Sequence, residues 1–418
     1  MAVKPGYKQT EVGVIPEEWG VVQLVELKPF ITSGSRGWAS FYSESGSLFV
    51  RITNLSRESI YLDLDDSKFV RLPPEASEGV RTQLVEHDVL ISITADIGMI
   101  GYVDDHVPMP AYINQHIALV RFDSSKTCGK FVSYFLASER PQKLFRALTD
   151  TGAKAGMSLG TVQKILTAHP SLPEQRAIAT ALSDVDALMG ALERFIVKKR
   201  DLKQATMQQL LTGQTRLPGF QGEWEVKNLK AIVQTPVTDG PHLTPRFWDN
   251  GIPFLSVNNL VGNRIDLTDL RFISEADHEL FSRKCKPQKD DILLGKAASV
   301  GKVAIVEFDD EFNIWSPIAL IRIGSEHAAR FVYYQLQSAD LIGQIALLTN
   351  SSSQGNIGMG DIEKLMLKLP PLTEQKAITA VLSDMDAELA FLEQRLAKTR
   401  ALKQGMMQEL LTGRTRLL

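Results

Sequence analysis

The sequence predicts an α+β protein, mixed α/β in its globular parts. Two similar globules are separated by two long helices, which pair as an antiparallel coiled coil. Three observations predict this. A 48-residue segment starting at Pro170 recurs at Pro370 with no gap, and 27 of its 48 positions are identical. In each copy apolar residues step by 4, 3, 4, 3 and 4, the seam of a heptad helix. Between the copies lie short β-like runs punctuated by Gly, Pro, Asn and Asp. The layout is an N-terminal segment (1–19), a globule (20–169), a helix (170–217), a globule (218–369) and a helix (370–418). It is an internal repeat with an approximate two-fold relation.

Composition bounds the function. At 418 residues the chain has room for two or three domains. With 44% hydrophobic and 23% charged residues, wholesale disorder is excluded. No apolar run reaches the ~18–20 residues of a membrane span. The opening MAVKPGYKQTEVGVIPEEW has no apolar core of the secretory kind. Cys128 and Cys285 match no CxxC spacing, so a reducing cytoplasm is expected. A net charge of −3 gives no global sign of nucleic-acid binding. Any such binding needs local basic surfaces or partners.

In the first globule, Leu48–Ile52, Val89–Ile93 and Ile117–Val120 read as strands. Sparse anchors recur in the second: Glu18-Trp19 and Glu223-Trp224, Asp88 and Asp291, Phe131–Tyr134 and Phe331–Tyr334. The first helix carries its seam on Ile178, Leu182, Val185, Met189, Leu192 and Ile196. The second copies it with Ile378, Leu382, Met385, Leu389, Leu392 and Leu396. Leu202, Leu210, Leu402, Met406 and Leu410 extend the stripe with one break in register. Ser171 with Glu174 fits a capping box, which Pro371 denies the second copy, and Gly213 and Gly413 suit helix ends.

Charge chooses the direction of pairing. Residues 174–196 carry four acids and two bases, and 197–216 one acid and five bases. The second copy has five acids and two bases in 374–396, then one acid and five bases in 397–416. Antiparallel pairing sets acidic halves beside basic halves and complements each helix dipole. Two near-identical helices offer one surface twice, suited to two copies of one partner. A plain dimerisation rod or spacer fits the periodicity equally.

The layout resembles the specificity (S) subunit of type I restriction-modification systems over nearly the whole chain. The residues that carry the resemblance are Tyr7-Lys8 with Thr10–Pro16 and Trp19, and Leu172-Pro173-Glu174-Gln175 running into Ala177-Ile178. The second copy supplies Pro370–Gln375 and Leu410–Gly413. The resemblance implies that each globule is a target recognition domain reading one half of a bipartite, asymmetric DNA site, and that the N-terminal segment (1–19) packs near the C-terminal end. It implies that the coiled coil sets the spacing and docks two copies of a methyltransferase (M) subunit, and that motor-nuclease (R) subunits complete the complex. The chain itself would perform no catalysis and bind no cofactor; S-adenosylmethionine, ATP and Mg are expected on the partner subunits.

The residues agree with absent chemistry. There is no GxxxxGK[ST] phosphate loop, no [DNS]PP[FYW] tetrad and no HExxH pair, so no metal site is expected. Asp104-Asp105 and Asp309-Asp310 read as turns.

DNA reading needs groove-reaching donors and acceptors together with phosphate contacts. Three pairs of polar loops meet that need. In the first domain they supply Ser33, Ser35, Arg36, Trp38 and Tyr42; Thr94 and Asp96; and Lys154. In the second they supply Asp239, His242, Thr244, Arg246 and Trp248; Lys296 and Ser299; and Ser352 and Gln354. Trp38 and Trp248 could equally pack beneath their loops. Arg283, Lys284, Lys286 and Lys289 are candidate phosphate contacts. The basic helix ends (Lys198, Lys199, Arg200; Lys398, Arg400, Lys403) suit coil pairing or partner docking better than DNA. Two alternatives remain: the specificity subunit of a related fused restriction-methylation enzyme, and a coiled-coil adaptor whose globules bind proteins.

Overall fold

A computed structural model of the chain describes residues 4–73, 79–150, 156–349 and 355–417. The chain forms two compact units, residues 1–193 with 394–418, and residues 194–393. Each long helix is shared between them. Its first half belongs with the globule that precedes it, and its second half with the other.

In the first unit a four-stranded antiparallel sheet has the order Phe30–Ser33, Ile117–Arg121, Val89–Ser92, Ile100–Tyr102. The run Val89-Leu90-Ile91 is apolar throughout because both faces of the sheet are covered. Val89 and Ile91 share a core with Phe131 and Val132 of helix Gly129–Ala137. Leu90 packs instead with Leu48, Val50 and Leu119. There, Ser47–Val50 runs parallel to Ala111–Ile113 and antiparallel to Phe69–Val70.

The second unit repeats the plan. Its central sheet has the order Thr238–Asp239, Ile318–Ile321, Ile292–Gly295, Val303–Ile305. Ile318 faces Gly295 as Ile117 faces Ser92. One ion pair braces both sheets: Arg121 donates twice to buried Asp88, and Arg322 twice to buried Asp291.

The long helices span Leu172–Leu211 (40 residues) and Leu372–Leu410 (39 residues), each about 60 Å at 1.5 Å per residue. Ser171 Oγ caps the Glu174 amide at 3.4 Å. Where proline replaces that serine, the Pro371 carbonyl accepts from Glu374 at 2.9 Å instead. Gly213 and Gly413 sit past the ends at φ +73° and +68°, the left-handed geometry that glycine adopts freely.

The helices pair antiparallel inside each unit. In the second unit Lys199 meets Glu388 at 2.7 Å and Lys203 meets Asp386 at 2.6 Å. In the first, Arg400 meets Glu193 and Lys403 meets Asp186, both at 2.6 Å. One number rises as the other falls, and each contact joins a basic half to an acidic half. Seam residues Ile178, Leu182, Leu192, Ile196, Ile378, Leu382, Leu389, Leu392 and Leu396 are buried. Val185, Met189 and Met385 are half-buried.

The expected break in register is absent. Leu202 and Leu402 are 52% and 58% exposed. The seam runs on through Lys199, Lys203, Thr206 and Leu210, and through Thr399, Lys403, Met406 and Leu410, keeping steps of three and four. Hydropathy misleads here because a lysine stem can cover the seam while its ammonium reaches a carboxylate.

Candidate nucleic-acid interface

The first two polar loops of each unit, with the backbone that follows the third, gather at one end of its central sheet. The framework that gathers them is the same in both. The edge strand passes so close to a neighbour that only glycine fits: a Cβ on Gly34 would lie 2.1 Å from the Asn114 carbonyl, and one on Gly240 1.7 Å from the Ile314 oxygen. In the second loop the Ile93 amide donates to His116 O at 2.9 Å, and the Lys296 amide to Pro317 O at 2.8 Å. Ala95 and Ala298 both take a left-handed φ (+57° and +61°), as do Gly98 and Gly301. The chain leaving the third loop is stitched to the second by Met157 N to Ile93 O and Ile357 N to Lys296 O. Lys154, Ser352 and Gln354 lie outside the described residues.

Side chains in this common backbone differ. In the first unit Thr94 Oγ1 bonds His116 Nδ1, and Gln115 Nε2 lies 3.0 Å from His116 Nε2. Ser33 and Ser35 are half-buried, and Arg36 and Tyr42 are exposed. Asp96 is exposed but ion-paired to Arg57, which also bonds Gln142 and the Ile97 carbonyl. Trp38 requires a correction. It is only 4% exposed, with its ring 4.8 Å from Phe49 and 5.4 Å from Tyr112. An indole buries too much apolar area to stay in the loop when a pocket lies beneath it.

In the second unit Asp239, expected among the exposed loop residues, is buried instead. Its side chain is fully buried and faces Lys284, Lys296 at 3.1 Å and His242 at 3.3 Å. Burial opposes its charge, yet the two lysines outweigh that and hold the carboxyl below the usual range. Lys296 is largely buried beside it. His242 and Thr244 are exposed, and Ser299 is half-buried. Arg246 stacks 4.2 Å over Trp248, which is 46% exposed, so this tryptophan, unlike Trp38, reaches solvent.

Sequence reasoning missed Gln115 and His116, together with Trp315, Ser316 and Pro317. They sit in the connection preceding the repeated strand Ile117–Arg121 or Ile318–Ile321, and close the cluster from the side. No motif marks them, and only their position before a repeated strand was available as a signal.

The rods carry a second set of repeated contacts. Tyr134 donates to Asp186 at 2.6 Å, and Lys403 pairs with the other carboxylate oxygen. In the other unit Tyr334 donates to Asp386 at 2.7 Å, and Lys203 completes the triad. Burial and the adjacent aspartate push both tyrosines upward in pKa. Arg416 forks onto buried Glu174, which also accepts from Trp19 Nε1 at 3.1 Å. Arg216 does the same to Glu374 at 2.5 and 2.6 Å, stacked over Trp224. In each case the cation comes from the other repeat. The Tyr7 hydroxyl donates to Gly413 O at 3.0 Å, bringing the N-terminal hairpin onto the end of the second helix.

Among the described residues one trio could hold a metal ion, Asp104, Asp105 and His106. His106 there faces its two carboxylates at 3.3 and 3.0 Å on a mostly exposed turn, so the residues satisfy one another. Among those residues no helix is long and apolar enough to cross a membrane.

Residues 16–198 and 221–399 match the type I restriction modification DNA specificity domain. The chain is 26% identical to the MjaX type I restriction enzyme specificity subunit of Methanocaldococcus jannaschii, covering 98% of this chain and 97% of that one. It is 20% identical to the EcoKI specificity subunit of Escherichia coli K12, over 96% and 89%. Its fold is similar to that of the type I restriction-modification S subunit from M. genitalium, with a TM-score of 0.61, 14% identity and 98% of each chain covered. With two matched domains spanning most of its length, the chain belongs to the type I restriction-modification DNA specificity family, as a DNA sequence-recognition subunit.

Proposed function

We propose that this chain is the non-catalytic reader of a cytoplasmic type I complex, with each loop cluster reading one half of a bipartite, asymmetric DNA site. The paired rods set the gap between the half-sites and dock two methyltransferase subunits; motor-nuclease subunits join for restriction. S-adenosylmethionine, ATP and Mg belong to those partners. One observation supports this reading above others. The two loop clusters share a backbone down to their left-handed alanines, yet line it with unlike groups: Thr94, Gln115 and His116 in one, Lys296, His242 and Arg246 in the other. One scaffold with two polar linings suits two unlike base sequences.

The test is methylome sequencing of a strain with and without the gene. The expected result is loss of a split motif of two short unlike halves around a fixed gap. An unchanged methylome in a strain that expresses the chain and its methyltransferase would refute the assignment. Inserting about four residues at equivalent points of both rods adds ~6 Å, near two base-pair rises of ~3.4 Å. The motif is then expected to keep both halves and lengthen its gap. With a net charge of −3, the isolated chain is expected to bind DNA weakly, gaining preference once methyltransferase subunits supply further phosphate contacts.

A further inference from the structure

We infer that Arg81 and Lys284 are matched DNA-phosphate contacts, one in each recognition domain, set by the common framework rather than by the variable loops; this rests on the reading that both loop clusters face DNA. The two positions are equivalent. Arg81 lies seven residues before Asp88, and Lys284 seven before Asp291. Each aspartate closes the same turn, accepting from Val85 N or Gln288 N at 2.8 Å, and pairs with the same strand arginine.

Both cations reach back to the end of the edge strand, where the first loop begins. Arg81 donates to the Ser33 carbonyl at 2.7 Å, to Ser35 Oγ at 3.1 Å and to the Thr32 hydroxyl. Lys284 donates to Asp239 and to the Gly240 carbonyl at 3.2 Å. Different side chains with different acceptors thus place positive charge at one spot. A clamp on a carbonyl needs only a donor; a neutral amide would do.

Charge survives in both settings. Among the described residues the groups that hold Arg81 are all neutral, so none of them offsets its charge. In the second unit Asp239 is shared by Lys284 and Lys296, so two lysines and one carboxylate leave one positive charge. Nearby Lys286 and Lys289 are engaged by Glu311 and Asp309. Arg81 is exposed, and the Lys284 side chain is 49% exposed. A guanidinium has five donors and an ammonium three, so each retains donors beyond its internal bonds. A cation already pinned at the loop's root loses little freedom on meeting a phosphate, and phosphate contacts fix the register in which bases are read.

The test uses the assembled methyltransferase complex carrying Arg81→Gln, Lys284→Gln or both. Binding to its motif duplex and to an unrelated duplex is followed by fluorescence anisotropy between 50 and 200 mM salt. Glutamine keeps a donor and removes the charge. The slope of log K against log salt is expected to shrink by about 0.9 per substitution and ~1.8 in the double variant. The loss should be equal on both duplexes, with the methylated motif unchanged. Arg81→Lys and Lys284→Arg are expected to retain the wild-type slope. An unchanged slope in the glutamine variants overturns the inference, as does a charge-preserving variant that behaves like its glutamine counterpart. A shifted motif overturns it too, by making the contact one to a base. Failure of the wild-type complex to prefer its motif duplex would instead reject the DNA-reading assignment itself.

Discussion

Lysine at a coiled-coil seam position is costly unless its ammonium is matched, which makes Asp186→Ala a sharp probe of the first unit. The side chains of Asp186 and Lys403 are each 11% exposed and meet at 2.6 Å, with the Tyr134 hydroxyl on the second carboxylate oxygen. Removing the carboxylate strands a buried ammonium and takes away the Tyr134 hydroxyl's acceptor at 2.6 Å, leaving it the weaker contact with Tyr61 at 3.3 Å. Breaking such a pair costs ~3–5 kcal/mol. For a unit of this size that is a fall in melting temperature on the order of 10 °C. Replacing both partners, Asp186→Leu with Lys403→Met, removes the charge along with its penalty and should return to within ~1 kcal/mol of wild type. Glu193 and Arg400, at the same 2.6 Å but 47% and 57% exposed, provide the control: Glu193→Ala should cost ~0–1 kcal/mol. Circular dichroism melts of the variants decide it, with Asp386→Ala as the repeat in the second unit. If Asp186→Ala costs no more than Glu193→Ala, or the double replacement is as damaging as the single, the buried-pair reasoning fails.

Other outcomes are open to measurement. Leu182 is fully buried where rod and globule share a core, so Leu182→Ala should lose ~2–5 kcal/mol in denaturant titration. Trp38→Ala should cost ~3–5 kcal/mol of stability; Trp248→Ala should barely change it and instead weaken DNA binding by the complex. Gly34→Ala drives a Cβ into the Asn114 backbone, and hydrogen exchange should show the edge strand Phe30–Ser33 opening more readily. Burial lowers the pKa of His169, and of His327 with help from Lys227. Below about 6.5 the unfolded chain binds protons that the folded one refuses, so stability should fall as pH drops from 7 toward 5.5. His169→Gln with His327→Gln should flatten that slope in melts at stepped pH; an unaltered slope would exclude these two histidines as its source.

Much of the architecture was legible because it is written in local, repeated signals. Strands such as Val89–Ser92 and Ile117–Arg121 announce themselves as apolar runs between turn residues. The rods do so by heptad spacing. The seam's continuation was misread at Leu202 and Leu402, where hydropathy counts a lysine as outside although its stem lies inside. The loop clusters were legible in outline and not in detail. Position after Ser33 or Ser92 marks where loops begin, but Trp38 and Asp239 are as polar or aromatic on paper as Arg36 and Trp248. Whether a pocket waits beneath a side chain is settled by strands tens of residues away.

Duplication, the rods and their head-to-tail direction follow from the amino-acid sequence alone, because a 200-residue offset, a heptad and a separation of acidic from basic halves are all one-dimensional patterns. Only the tertiary structure decided which repeat supplies each cation: Lys403 to Asp186, Lys203 to Asp386, Arg416 to Glu174 and Arg216 to Glu374. It alone brought Gln115 and His116 beside Thr94, and turned Arg81 and Lys284 back onto the backbone at the end of each edge strand. The reason is physical. Such contacts join residues far apart in the chain, and a buried charge takes whichever partner the packed backbone places within hydrogen-bond reach, a distance that no spacing along the sequence encodes.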